Sequence, residues 1–120
     1  MKWIVVPSHL RKVLKDAPFK MDMGWGNGYV LIPSDHPWYE MDYELIPVNV
    51  HGGLTFGQTI NRSHLDVFPL DENDIGKYMI GFDTGHYRDT LEFWPKKRVI
   101  QETLSLEKQI RNLGEAIFID

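Results

Sequence analysis

The last quarter of the chain carries the feature that most restricts its fold, a stripe of largely apolar residues with the period of an α-helix. Between Pro95 and Gly114 these residues recur at intervals of three and four, at Val99, Ile100, Thr103, Leu104, Leu106, Ile110 and Leu113. The stripe predicts an amphipathic helix, which is stable only if this face packs against a second layer of structure. Pro95 suits the first turn of the helix, and Gly114 is predicted to end it.

Before Pro95 the sequence is typical of short β-strands separated by turns. Runs rich in β-branched and aromatic residues predict strands over 3–6, 29–32, 45–50, 54–60 and 78–82, and a short final strand over 117–119. Residues 51–53 are predicted to connect two of these strands as a hairpin. A first helix is predicted over 8–15, and the polar stretch 61–77 is predicted to be an exposed loop.

Strands outnumber helices, and the helices lie near the two ends of the chain, so the pattern predicts an α+β fold. We expect a mainly antiparallel sheet of four to six strands with the C-terminal amphipathic helix packed on one face. The chain has 120 residues, of which 42% are hydrophobic. This is enough apolar material for one core, so residues 1–120 are expected to form a single domain.

Charge and composition exclude several kinds of partner. The formal net charge is -4 and the basic run Lys96-Lys97-Arg98 is short, which argues against a nucleic-acid partner. The absence of cysteine excludes disulfides and zinc–thiolate sites and permits a reducing compartment. No segment approaches the roughly 20 apolar residues that span a bilayer, and the apolar run near the N-terminus is too short for a signal peptide. We therefore expect a cytosolic protein without a membrane partner.

Two segments, 48–56 and 81–89, gather the side chains most capable of chemistry. Each delivers a histidine, His51 or His86, from a predicted strand into a turn that contains glycine, which lets backbone approach a ligand closely. We predict that the two imidazoles lie within roughly 10 Å, about two strand spacings. The candidate ligand-binding residues are His51, Gly52, Gly53, Thr55, Asp83, Thr84, His86, Arg88 and Asp89, together with Trp25 and Tyr29.

A metal site is one interpretation of these residues. Asp83, His86 and Asp89 are spaced three apart, and His51 is a candidate fourth ligand. Imidazole and carboxylate suit zinc, manganese or iron. Recognised zinc signatures such as H-E-x-x-H are absent, so no metal and no other cofactor is expected.

A pocket for an anion or a nucleotide is a second interpretation. The backbone N–H groups of His51-Gly52-Gly53 are candidates for an anion-binding nest. Arg88 and the hydroxyl groups of Thr55 and Thr84 suit a phosphate, and rings such as Trp25 and Tyr29 suit stacking on a base.

Acid–base hydrolysis by His51 and His86 is a third interpretation, because paired histidines across a cleft follow the logic of phosphodiesterases. The H-x-T repeat of the two-histidine phosphoesterases is not matched, since Gly53 and Arg88 stand where threonine is required. A purely structural role for the turns is a fourth interpretation, in which Asp83 and His86 bond to each other and to the turn backbone.

The segments HGGLTF (51–56) and GFDTGH (81–86), with Gly28-Tyr29-Val30 and His36-Pro37 before them, resemble a family of small proteins from bacteriophages and prophages. The resemblance runs from about Gly28 to the final helix. It implies a viral or mobile-element origin and work in the bacterial cytosol, and it assigns no catalytic role to any residue. Small phage proteins often counter host defences, and some sequester nucleotide immune signals at oligomer interfaces.

The leading hypothesis from the sequence is therefore a phage-type protein that binds a small polar ligand and sequesters it, with a nucleotide-derived immune signal as the candidate ligand. A homo-oligomer is one expected assembly. A metal- or histidine-dependent hydrolase is the first alternative, and whether the chain is an enzyme stays open. A protein-interaction module that uses the Trp38-Tyr39 loop is the second alternative.

Overall fold

A computed structural model of the protein describes residues 1–8 and 23–117, with side chains described through Leu113. The strands are β1 (Trp3–Pro7), β2 (Gly26–Ile32), β3 (Phe56–Thr59) and β4 (Tyr78–Phe82), and the helix α1 spans Lys96–Ile117. All strand pairs are antiparallel, in the order β1-β2-β4-β3. The helix packs on this open sheet, which confirms the predicted α+β fold.

The two central strands, β2 and β4, supply alternate residues to two apolar clusters, one on each face of the sheet. Val30 and Ile80 point toward α1, where they join its buried stripe, including Leu106. Leu31 and Met79 belong to the cluster on the other face. The core between sheet and helix therefore fixes the position of α1, and with it the position of the loops that precede the helix.

The helix approaches β2 so closely at one point that only glycine fits there. A Cβ atom added to Gly28 would lie 2.0 Å from the Thr103 hydroxyl oxygen and 2.6 Å from the Phe82 ring. Thr103 is fully buried and its hydroxyl donates a hydrogen bond to the Val99 carbonyl. Glycine at position 28 of β2 is thus required by packing between the two layers.

The predicted strand over 45–50 is wrong, and so is the hairpin that it was expected to form with the following strand. Ile46 and Val50 do enter the core, but Pro47 lacks an N–H group for a ladder. Asn49 instead exchanges two hydrogen bonds of 2.8 Å with the side-chain amide of Gln109 on α1. The helix therefore satisfies the backbone groups that a strand partner would have used, and β3 pairs with β4.

Other boundaries also differ from the sequence-based expectations. The polar stretch 61–77 contains two short 3-10 helices, Arg62–Asp66 and Glu72–Asp74, each with a side-chain cap at its start. The helix α1 continues beyond Gly114 to Ile117. The predicted first helix falls almost entirely on residues 9–22, and the predicted final strand extends into 118–120; both ranges lie outside the described residues.

Two buried polar side chains join distant parts of the chain. The His36 ring accepts a hydrogen bond from the Trp38 N–H through Nδ1, and its Nε2 lies 2.8 Å from the Ile110 carbonyl oxygen. Since Nδ1 is the acceptor, Nε2 carries the proton and donates to α1. His36 therefore acts as a clamp between the 33–41 loop and the helix.

Asp74 is the second of these side chains, and its carboxylate contacts Lys2 and Lys77. Burial by itself raises the pKa of Asp74, but hydrogen bonds from Lys2, from the Asp71 backbone N–H and from Lys77 outweigh burial and lower the pKa below its usual range. The carboxylate is therefore ionised at neutral pH and ties β1 to the start of β4.

Among the described residues, no helix has both the length and the apolar character that are needed to cross a bilayer.

Candidate functional site

His51 and His86 converge on one buried carboxylate. Their rings lie 5.5 Å apart, which agrees with the predicted separation of less than roughly 10 Å. His51 Nε2 lies 2.9 and 3.0 Å from the two oxygen atoms of Asp89, and His86 Nδ1 lies 3.2 Å from Asp89 Oδ2. We refer to His51, His86 and Asp89 as the His-Asp cluster.

Asp89 is the centre of the cluster, with only 6% of its side chain exposed, compared with 25% for His51 and 35% for His86. Burial raises its pKa, but hydrogen bonds from the His51 ring and from the His86 backbone N–H outweigh burial, so that the pKa of Asp89 lies below its usual range. The carboxylate is consequently ionised at neutral pH and accepts hydrogen bonds from both imidazoles.

A tight turn after β4 brings His86 and Asp89 together. The Asp89 N–H donates to the His86 carbonyl, and the His86 N–H donates to Asp89 Oδ2 at 3.0 Å. Arg88 completes the turn with a φ of 75°, a left-handed conformation that is uncommon for a residue other than glycine. Asp83 begins the turn by accepting a hydrogen bond from the Gly85 N–H, and its carboxylate lies 3.5 Å from His86 Nδ1.

His51 is held from two other directions. Its ring lies against the Trp94 ring, with centroids 4.0 Å apart and planes 35° apart. Its backbone N–H donates a 3.0 Å hydrogen bond to the Glu102 carboxylate on α1. The imidazole therefore has a fixed orientation, in which Nε2 faces Asp89.

Gly52 allows the second imidazole to reach the cluster. Its φ of 69° is in the left-handed region, and a Cβ atom at this position would lie 2.4 Å from the His86 ring. Gly53 has a similar φ of 78°, but a Cβ atom there would meet no neighbour within 4 Å. The first glycine is thus needed for space and backbone conformation, and the second for conformation alone.

Several of the predicted anion-binding groups are engaged within the protein. The N–H groups of His51 and Gly53 donate to Glu102 and to the Val50 carbonyl. The Thr84 hydroxyl, buried at 2% exposure, donates to the Gly26 carbonyl at 2.7 Å. These groups are not directed at a ligand.

The other predicted site residues lie at varying distances from the cluster. Thr55 and Arg88 are exposed. Trp25 is half-buried, and its backbone N–H donates a hydrogen bond to the carbonyl of Trp94, whose ring contacts His51. Tyr29 lies on the other face of the sheet, where its ring packs edge-on against two phenylalanine rings at 5.3 Å. Tyr29 therefore contributes to the core rather than to the surroundings of the two histidines.

The Trp38-Tyr39 loop, which the sequence offered as an interaction surface, is largely turned inward. Trp38 is a core residue at 9% exposure, and the Tyr39 hydroxyl donates a hydrogen bond to the Gly76 carbonyl. The loop presents few free aromatic atoms to a partner.

The His-Asp cluster has the composition and the spacing of a metal site. One ligand atom from each of the three residues lies within 4.8 Å of the other two. Bonds of about 2.1 Å to a metal place adjacent ligand atoms about 3.0 to 3.4 Å apart, and both histidines already approach Asp89 to 2.9–3.2 Å. The separation within the set, up to 4.8 Å, exceeds this spacing, so binding of an ion would require a ring to move, and His86 is the more exposed of the two histidines. Asp83, which the sequence spacing grouped with these ligands, is not part of this set of three, although its carboxylate lies 3.5 Å from His86 Nδ1.

Two residues that position the cluster were not among the candidates predicted from sequence. Glu102 is one of many charged residues on α1, and its contact with His51 spans 51 positions. Trp94 is the second of these residues, and its ring supports His51. The spacing of Glu102 three residues after the buried Val99 was the available signal that it lies near the covered side of the helix.

Comparison with known proteins found no match: no family model, no curated protein and no solved structure matches the chain. The resemblance to phage proteins therefore stays a prediction.

Proposed function

We propose that the protein is a hydrolase whose centre is a divalent transition-metal ion held by His51, His86 and Asp89. The observation that carries this proposal is the convergence of two imidazoles on one buried, ionised carboxylate. It departs from the expectation, drawn from sequence, that no metal is bound.

The donor set favours zinc, manganese or iron, because imidazole nitrogen and carboxylate oxygen are the ligands that these ions take in proteins. Three protein ligands leave at least one coordination position for water, as in catalytic zinc sites. The partial exposure of both histidine rings supports access of water and substrate to that position. When bound, such an ion lowers the pKa of a coordinated water to about 7 and polarises the bond to be cleaved.

The neighbouring residues keep the ligands in place. Glu102 and Trp94 hold His51 by its backbone and by its ring, and the turn hydrogen bonds of Asp89 fix its carboxylate against His86. Supporting contacts of this kind affect metal affinity by about 10- to 100-fold when removed. Hydrolysis adds the hydroxyl of one water to the electrophilic atom and returns its hydrogen to the leaving group, so the reaction requires no other co-reactant.

Metal binding is tested first. Chelator-treated protein is titrated with Zn²⁺, Mn²⁺ and Co²⁺ by calorimetry, and the visible absorption of the cobalt form reports nitrogen and oxygen coordination. We expect one ion per chain, and a melting temperature that rises on loading because binding stabilises only the folded state. His86→Ala should abolish binding. His64→Ala, which removes a histidine that bonds Gln58 and the Asn61 N–H outside the cluster, should leave it unchanged.

A metal-free form of the same chemistry is the alternative if no ion binds. In that case Asp89 orients both imidazoles, and the atoms that face away from it, His51 Nδ1 and His86 Nε2, act as acid and base. Activity that survives exhaustive chelation supports this form and rejects the metal centre.

Sequestration without turnover is the second candidate function. It is favoured by the partial exposure of the His51 and His86 rings, which suits holding a polar ligand whether or not that ligand is cleaved. Protein is incubated with a mixture of phosphate esters, freed of unbound ligand and heat-denatured. Ligand released intact at one equivalent per site supports sequestration, whereas product or depletion beyond one equivalent supports the hydrolase.

A further inference from the structure

A group of exposed cations and exposed rings lies in the segment 87–98, which includes Asp89 of the His-Asp cluster. It consists of Tyr87, Arg88, Phe93, Lys96 and Arg98, and we call it the basic-aromatic rim. Tyr87 and Phe93 are 91% and 58% exposed, which is unusual for large rings in a chain whose other tyrosines are buried or half-buried. The rim therefore combines exposed positive charge and exposed aromatic surface within one short segment.

The cations of the rim differ from four other cations, which are paired with carboxylates. Lys2, Lys77, Arg62 and Arg111 each form a salt bridge with a carboxylate. Within the described residues, Arg88, Lys96 and Arg98 form no salt bridge; each lies over an aromatic ring, and Arg98 also donates a hydrogen bond to the Phe93 carbonyl. This is notable in a chain with net charge -4, where acidic partners are in excess. The rim therefore keeps its positive charge available to an anion from solution.

Contacts connect the rim to the cluster directly. The Arg98 guanidinium lies 4.1 Å from the centre of the Trp94 ring, and Trp94 in turn contacts the His51 ring. Arg88 precedes Asp89 and lies 5.5 Å from the centre of the Tyr87 ring. Lys96 lies 5.4 Å from the centre of the Trp25 ring. Arg88 is therefore linked to the cluster through the adjacent Asp89, and Arg98 is linked to it through Trp94.

We propose that the basic-aromatic rim binds a nucleoside phosphate and presents its phosphate group to the His-Asp cluster, an inference that rests on the hydrolase proposed above. Guanidinium groups bind phosphate oxygens with charge-assisted, often bidentate hydrogen bonds. Exposed aromatic rings provide stacking surfaces for a base, each worth a measurable part of the affinity for nucleotides. Guanidinium groups alone would bind many anions, and exposed rings alone would bind many aromatic molecules. A nucleoside phosphate carries both a phosphate group and an aromatic base, so it can contact both parts of the rim.

The test uses calorimetric titration of the metal-loaded protein with AMP, adenosine and inorganic phosphate. We expect AMP to bind at least tenfold more tightly than either adenosine or phosphate, because only AMP engages both parts of the rim. The affinity for AMP should fall as salt concentration rises, since the cations are exposed to solvent. Equal affinity for AMP and phosphate would reject a role for the rings, and equal affinity for AMP and adenosine would reject a role for the cations.

Variants of the rim separate this proposal from the metal centre. Arg88→Asn removes the charge while keeping a residue that tolerates a positive φ, and Tyr87→Ala removes a ring that contributes little to the core. Arg88→Asn should weaken AMP binding about tenfold or more, the loss expected for one hydrogen bond to a charged group. Tyr87→Ala should weaken it about tenfold, the loss expected for one stacked base. Lys108→Ala, which removes an exposed cation ten residues beyond Arg98 on α1, is the control and should have no effect.

Zn²⁺ titration of the same variants distinguishes failure of this inference from failure of the proposed function. Normal Zn²⁺ binding with unchanged AMP affinity in both variants overturns the rim as a nucleotide site and leaves the metal centre standing. Loss of AMP affinity in the two variants, with normal Zn²⁺ binding and an unaffected Lys108→Ala control, supports the rim.

Discussion

Replacement of Gly52 by alanine tests the geometry of the His-Asp cluster more sharply than removal of a ligand, because Gly53→Ala provides a matched control. Both glycines have positive φ angles, 69° and 78°, so alanine at either position meets the same backbone strain. Only at Gly52 does the new methyl group collide with a neighbour, the His86 ring, at 2.4 Å.

The size of each effect follows from these two facts. A left-handed conformation costs a residue with a Cβ atom about 1–2 kcal/mol, so both variants should lose about that much stability toward urea. The collision in Gly52→Ala adds little to this loss, because the His86 side chain is 35% exposed and turns outward into solvent. That movement removes one of three metal ligands, and affinity should fall by at least about 100-fold, the upper range for loss of a mere supporting contact.

Urea unfolding measures the first quantity, and calorimetric titration with Zn²⁺ measures the second. We expect similar unfolding midpoints for the two variants and metal binding that is retained in Gly53→Ala alone. Equal Zn²⁺ affinity in both variants would refute the placement of His86 in the cluster. A much larger loss of stability in Gly52→Ala than in Gly53→Ala would show that the ring is rigidly packed and cannot turn away.

Three further predictions concern stability. Hydrogen bonds from two lysines lower the pKa of Asp74 in the folded protein. The Asp74 carboxylate therefore stabilises the fold above the unfolded-state pKa of about 3.9, and this stabilisation is lost as pH falls through the folded-state pKa. Asp74→Asn should reduce the fall of the urea midpoint that the native protein shows as pH is lowered. His36→Ala leaves the backbone N–H of Trp38 without its acceptor and removes the hydrogen bond to the Ile110 carbonyl. The free energy of unfolding should fall by about 1–3 kcal/mol, and an unchanged urea midpoint would contradict the clamp. Gly28→Ala forces a methyl group into the contact between β2 and α1 and should lower the free energy of unfolding by about 1–3 kcal/mol, measurable as a fall in melting temperature.

Local patterns predicted the parts of the fold that depend on local forces. The period of the apolar stripe identified α1, and the β-branched runs identified β1, β2 and β4, because in each case the same residues both form the element and bury it. The segment 45–50 has the same apolar character and two buried residues, yet its backbone bonds to Gln109, 60 positions away. No local pattern contains that information.

In the candidate site, too, some residues could be predicted from local sequence and others depended on long-range packing. Glycine-bearing turns identified His51, His86 and Asp89. Their predicted convergence agrees with the structure, although the strand that was expected to deliver His51 is absent. Sequence spacing also suggested Asp83 as a ligand, but its carboxylate caps the Gly85 N–H at the start of the turn. The support that Glu102 gives to His51 depends on how α1 docks on the sheet, so it was not predictable before the fold was known.

The strand order has a consequence for how the protein reaches its native state. The central pair of the sheet, β2 with β4, joins residues that are between 46 and 54 positions apart, from Ile32 opposite Tyr78 to Gly28 opposite Phe82. Closing a loop of this length costs chain entropy before any of its contacts form, which slows folding relative to helical proteins of similar size. The helix α1 packs against β2 and β1, and β3 pairs with β4, so the complete core contains this long-range pair. His51 precedes β3, and His86 and Asp89 follow β4, so the proposed metal ligands come together only when these distant segments have paired. We therefore expect metal to bind the finished fold rather than to nucleate it.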